Sequence, residues 1–223
     1  MAFDVSPTRD CAICPRLARF REANRALYPG WSNAPVASFG DGEARLMIVG
    51  LAPGLKGANR TGRPFTGDYA GDLLYDTLLS YGFAAGAYDR RPDDGLRLID
   101  CAIVNAVRCV PPQNKPTPQE IAACRNFLTQ SIAALTRLRV VVALGRIAHE
   151  TFLRAFGARK ASFPFKHGAR HPIEPGGPVL FDSYHCSRYN TNTGRLTDAM
   201  FRQVFADVRA ELDGQGSTTG GAA

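Results

Sequence analysis

Four short apolar runs punctuate the chain: 45–50 (RLMIVG), 96–104 (LRLIDCAIV), 140–145 (VVVALG) and 179–184 (VLFDSY). Each is bounded by glycine-rich or polar sequence, and runs of this length predict buried strands. Between them the apolar positions recur at helical spacing. That pattern predicts helices over about 17–27, 70–81, 117–138, 146–156 and 196–212. The third of these has a clear start: Thr117 suits the N-cap, Pro118 the first turn, and Glu120 completes a capping box. Residues 159–177 have no regular pattern. Residues 214–223 (GQGSTTGGAA) are low in complexity and read as a disordered tail behind a single domain spanning 1–213. Strands alternating with helices predict an α/β fold, with a small parallel four-stranded sheet flanked by helices.

Composition narrows the class. A chain of 223 residues with 45% hydrophobic content suits one globular domain. The net charge of +7 favours a polyanionic partner such as nucleic acid. No apolar leader opens the chain and no run approaches roughly 18 apolar residues, so the expectation is a cytoplasmic protein without a membrane span. In that compartment six cysteines are expected to be metal ligands or free thiols rather than disulfides.

The first strand runs into Gly50–Asp68 (GLAPGLKGANRTGRPFTGD), a long loop with five glycines and the cations Lys56, Arg60 and Arg63. Glycines allow close backbone approach to a ligand, and cations suit phosphates. One carboxylate, Asp68, closes the loop three residues after Phe65. A plain connector with a surface aspartate would also fit. The second strand ends at Asn105 and the fourth at His185. In open α/β sheets ligands sit beyond the carboxyl ends of the strands, so the topology would gather Asp68, Asn105 and His185. The loop lacks the order of a P-loop, and no GxGxxG occurs.

Cys11 and Cys14 form a CxxC, while Cys109 and Cys124 bracket a proline-rich loop and a helix start. Four thiolates suit a structural zinc or a [4Fe–4S] cluster. Cys101 lies inside an apolar strand and reads as a core thiol. Cys186 adjoins His185, but neighbours in a strand point to opposite faces, which disfavours a Cys–His nucleophile.

Three segments, GLAPGLKGANRTGRPFTGD (50–68), NAVRCVPPQNKPTP (105–118) and SYHCSRYNTNTGRLT (183–197), together resemble the family 5 (UdgB-type) uracil-DNA glycosylases. Leu51 stands where the related family 4 usually has an acid, which favours family 5. The resemblance implies a monofunctional DNA glycosylase of base excision repair. It would act as a monomer on damaged bases in double- or single-stranded DNA at the nucleoid, across a range such as uracil, hypoxanthine, xanthine and ethenocytosine. It implies that Asp68 positions or activates water, that Asn105 holds base or water, and that His185 steadies the departing base. Phe65 would stack on that base, beside Gly50, Leu51 and Ala52. Cys11, Cys14, Cys109 and Cys124 would bind a [4Fe–4S] cluster. Arg60, Arg63, Arg188 and Arg195 are expected to grip phosphates and Tyr189 to fill the vacated stack. Cys186 departs from the apolar residue usual after the histidine. Two alternatives remain: a non-catalytic iron–sulfur nucleic-acid binder, and a zinc-stabilised hydrolase of small nucleotides.

Overall fold

The computed structural model describes residues 5–214. In chain order the elements are α1 (Pro15–Leu27), β1 (Phe39–Gly40), β2 (Leu46–Gly50), α2 (Ala58–Thr61), α3 (Tyr69–Ser80), β3 (Ala84–Ala85), β4 (Arg97–Leu98) and β5 (Cys101–Asn105). There follow α4 (Pro118–Ala134), β6 (Val140–Leu144), α5 (Arg146–Phe156), β7 (Arg170–Pro172), β8 (Val179–Ser183), α6 (Arg188–Asn192) and α7 (Asp198–Gly214). The tail expected from 214 onward lies, apart from Gly214, outside the described residues; Gly214 closes α7.

The main sheet has the order β1-β5-β2-β6-β8-β7. Its centre is the expected four parallel strands, each five residues long and buried throughout. Burial on both faces explains why these strands read as continuous apolar runs. The sheet differs from the expectation at its margins, where β1 and β7 add antiparallel edges. Both escape an apolar pattern because edges are short and polar: β1 has two residues, and β7 is Arg-His-Pro, with proline tolerated at an edge. The run 96–104 also breaks in two. Asp100 adopts φ +51, and its carboxylate accepts from Arg45 N at 2.8 Å and Arg45 Nε at 2.7 Å. Residues before the bend pair with β3 in a small hairpin; residues after it join the sheet.

Alternation along the strands makes three layers. Leu46, Ile48, Val140 and Val142 pack with Leu74 and Leu78 of α3 and Val204 and Phe205 of α7. Met47, Val49, Val141 and Ala143 pack with Leu128 of α4 and Phe152 and Leu153 of α5. Each large apolar side chain so buried contributes about 1.5–3 kcal/mol. The predicted capping box forms: Glu120 N donates to Thr117 Oγ1 (3.2 Å) and Thr117 N to Glu120 Oε2 (2.8 Å). The helix after β2 lies in one layer and the helix after β6 in the other, so the chain diverges between these adjacent strands. A crevice at such a switch point is where an open α/β sheet binds ligands.

Candidate active site and cysteine centre

A cavity of about 620 Å³ opens at that switch point. Its walls come from the loop after β2, the start of α3, the end of β5, and the segment after β8. Asp68, Asn105 and His185, well apart in the chain, all line it, as do Leu51, Ala52 and Phe65.

Register brings the first pair together. Gly50 lies opposite Asn105, and pairing continues past the strand ends through Ala106 N→Gly50 O and Val107 N→Leu51 O, both 2.9 Å. A Cβ on Gly50 would fall 2.4 Å from Asn105 Oδ1 and 2.8 Å from Phe65 Cζ. Only a bare backbone allows that approach. Gly57 serves Asp68 in the same way, since a Cβ there would lie 2.2 Å from Asp68 Oδ2.

Asp68 occupies the N-cap of α3, yet its side chain makes no capping hydrogen bond. Oδ1 is buried and has no partner among the described residues, and the same is true of Asn105 Oδ1. Leaving a buried acceptor unpaired costs about 1–3 kcal/mol. Two such acceptors on one cavity mark the place where a ligand or water belongs. Burial raises the pKa of Asp68 above its ordinary value, opposed by the amides of Gly71 and Ala70. Burial also pulls His185 down to about 4, so its imidazole is neutral at neutral pH. The His185 ring stacks on Phe65 with centroids 5.8 Å apart and planes at 27°. Phe65 itself has φ +50, an uncommon conformation for an aromatic residue. Asn190 Nδ2 donates to His185 O at 2.8 Å and ties α6 to the histidine.

The four arginines separate. Arg188 lines the cavity with its guanidinium 5.3 Å over the Tyr69 ring, and Tyr189 beside it is 72% exposed. Arg195 is exposed and stacks 4.6 Å over Tyr184, outside the cavity lining. Arg60 is exposed in a separate shallow cleft with Trp31, Arg90 and Arg91. Arg63 corrects the expectation that it grips phosphate. It is buried among Phe39, Tyr75 and Tyr88, makes two 2.8 Å hydrogen bonds to the Asp94 carboxylate, and donates from Nε to Thr66 Oγ1 at 2.7 Å. Its role is to hold the loop, and its carboxylate partner lies 31 residues away. Cys186 is fully buried, its Sγ donating to Ala70 O at 3.4 Å under the start of α3. That accounts for a small thiol after the histidine.

Some site residues carried no sequence signal. Tyr69 and Asn114 line the cavity. The only hint of Asn114 was its place in the proline-rich loop. Behind β8, Asp182 accepts a hydrogen bond from Lys166 N at 3.2 Å and contacts His149 Nδ1 at 2.6 Å and His171 Nε2 at 2.9 Å. This buried knot braces the strand that leads to His185.

Cys11, Cys14, Cys109 and Cys124 converge on a second, apolar chamber with Leu17, Val107 and Phe127. Among the described residues no histidine or carboxylate lines it. Arg21 Nη1 donates to Cys109 Sγ at 3.6 Å and Arg108 N to Cys124 Sγ at 3.3 Å, so cationic and amide donors face the sulfurs. Among the described residues, the one His/Cys/carboxylate group with all its ligand atoms within 4.8 Å of one another is His149, His171 and Asp182. No three of the cysteine sulfurs are therefore that close. A single zinc, with Zn–S near 2.3 Å, would hold its sulfurs about 3.8 Å apart. The chamber fits soft thiolate chemistry but at a wider spacing than one zinc ion sets.

Residues 37–209 match the Uracil DNA glycosylase superfamily. The chain belongs to that family. It is 49% identical over 205 residues to a type-5 uracil-DNA glycosylase of Thermus thermophilus, covering 89% of this chain and 92% of the relative. A type-5 enzyme of Pyrobaculum aerophilum is 40% identical over 206 residues, covering 91% and 89%. A type-4 enzyme of Thermotoga maritima is 35% identical over 181 residues, covering 80% and 77%.

Proposed function

We propose that this family member is a type-5 uracil-DNA glycosylase of base excision repair, hydrolysing the N-glycosidic bond of uracil and of related damaged bases in DNA. The observation that carries the reading is the pair of buried, unpartnered acceptors, Asp68 Oδ1 and Asn105 Oδ1, on one cavity with a neutral histidine. A base drawn from the duplex costs a few kcal/mol of unstacking. Stacking on Phe65 returns roughly 1–3 kcal/mol. As the bond breaks, its electrons go to the base and positive charge grows on the sugar. The Asp68 carboxylate stabilises that charge and takes a proton from the water whose oxygen adds to the sugar. Its raised pKa makes it a stronger base. His185, being neutral, donates an N–H to the departing base without adding a charge to the resting site. Asn105 offers both donor and acceptor to the base edge or to the water. Among the described residues no lysine lines the cavity, in keeping with hydrolysis rather than Schiff-base lyase chemistry. The protein acts on DNA at the nucleoid, as a monomer, with Arg188 on the backbone and Tyr189 as the residue entering the vacated stack.

Cys11, Cys14, Cys109 and Cys124 would hold a [4Fe–4S] cluster, and their wide spacing supports this over a single zinc. The cluster's part is structural: it would tie α1 to the loop between Asn105 and α4. The test of function is a duplex with one central uracil, incubated with the protein and then cleaved at abasic sites with alkali. The expected result is strand scission only after enzyme treatment; uracil-dependent binding with no abasic product would overturn it.

A further inference from the structure

Of the residues lining the cavity, Asn114 and Arg188 are the exposed ones. Asp68, Asn105 and Phe65 are more buried, so the cavity has a chemical interior and a polar rim. A nucleotide rotated out of a duplex enters base first and leaves its phosphates at the rim. We propose that Asn114 is a phosphate-gripping residue of that rim, donating from Nδ2 to the DNA backbone beside the extruded nucleotide, with Arg188 as the other rim contact. This rests on the glycosylase reading above.

The backbone supports the assignment. Gln113 and Asn114 are consecutive non-glycine residues in the left-handed region, both at φ +57. Such a conformation persists only where the surroundings over-determine it, and it concentrates at ligand clamps. The surroundings here are specific. Pro111 and Pro112 precede the tip and Pro116 follows it. Asn114 N donates to Pro111 O and Lys115 N to Pro112 O, both at 3.1 Å. Arg16 of α1 donates to Lys115 O at 3.1 Å and holds Glu120 of α4 with two more hydrogen bonds, of 2.8 and 2.7 Å. The tip is thus held before DNA arrives, and a pre-organised contact loses little entropy on binding. Asparagine also tolerates the left-handed region better than most side chains that carry an N–H donor. Contacts to phosphate position DNA without reading sequence, so the effect should be uniform across bases.

The test compares Asn114→Ala, Asn114→Gly and Asn114→Asp with the wild type in single-turnover excision. Enzyme is titrated against otherwise identical duplexes carrying uracil or hypoxanthine, and affinity for each duplex is read by fluorescence anisotropy. Glycine keeps the left-handed tip and removes the side chain. The alanine and glycine variants should therefore lose equally, each raising the half-saturating concentration roughly 10-fold for both bases, the scale of one hydrogen bond to a charged group. The maximal rate should stay within about twofold. Asn114→Asp, which sets like charges together, should lose more, and added salt should narrow its gap to alanine. Unchanged half-saturation in the alanine and glycine variants would overturn the proposal. So would a loss confined to one base, which would make Asn114 a base reader, or a glycine variant that matches wild type while alanine does not. Wild-type protein yielding no abasic product would instead sink the glycosylase reading, and the anisotropy series would still report on the tip.

Discussion

Asp68→Ala should separate catalysis from stability in opposite directions. The carboxylate is buried, Oδ1 has no partner among the described residues, and the side chain does not cap α3, so removing it gives up only the pull of the Gly71 and Ala70 amides. The unpaired acceptor costs about 1–3 kcal/mol in the wild type. Alanine opens only into a cavity already present, and water can fill the added space. The variant should therefore be more stable by about 1–2 kcal/mol at neutral pH, a melting temperature higher by about 2–8 °C for a chain of this size. The pH dependence has a definite sign. A carboxyl whose folded pKa is raised binds its proton more readily in the native state. Its penalty is absent below the unfolded pKa and grows as pH rises through the folded one, so the gain in Asp68→Ala should be full at neutral pH and vanish in acid. Single-turnover uracil excision should fall by roughly 10²-fold or more, the scale of one positioned catalytic group. Melting curves across pH and excision rates would be measured on one preparation. A variant that melts lower and cuts at the wild-type rate would show that the carboxylate is a structural cap and refute the reasoning.

Other expectations follow from the same geometry. His185 is held down to about 4 by burial, so the unfolded chain binds more protons between pH 6.5 and 4; stability should fall on acidification across that window by about 3 kcal/mol, and His185→Asn should flatten that part of the curve. Arg63→Met leaves the Asp94 carboxylate buried with the amides of Asp89 and Leu96 but no cation, so it should destabilise the fold by about 3 kcal/mol in a urea melt and leave the salt dependence of DNA binding unchanged. Arg188→Ala should do the reverse, lowering the log–log salt slope by about one with an unaltered melt. Cys109→Ser and Cys124→Ser should lose iron measured by mass spectrometry and the broad absorbance near 400 nm, about where [4Fe–4S] centres absorb. Cys101→Ser, lying inside the core strand away from the chamber, should keep both.

The four central strands, the capped start of α4 and the convergence of Asp68, Asn105 and His185 were legible in the sequence. Each depends on short-range pattern plus one general rule of α/β sheets: a strand buried on both faces must be apolar along its length, and strand carboxyl ends share one edge. The cysteine quartet was legible through its residue type, since thiols are scarce enough to be counted. Burial and pairing were not legible. Arg60 and Arg63 stand three residues apart in one basic loop, and nothing local distinguishes the exposed one from the one sealed against Asp94 and three aromatic rings. The edge strands β1 and β7 were hidden because an edge needs few apolar residues. Asn114 was hidden because its place on the cavity wall follows from the fold of a proline-rich loop, where Arg16 reaches across from α1 to the neighbouring Lys115 carbonyl. Desolvation and charge pairing are set by whatever lies across a few ångströms of space, and those neighbours come from segments 31 to 104 residues away. Periodicity, capping and residue chemistry are written in the chain; which polar groups are left without a partner is decided only when distant segments meet.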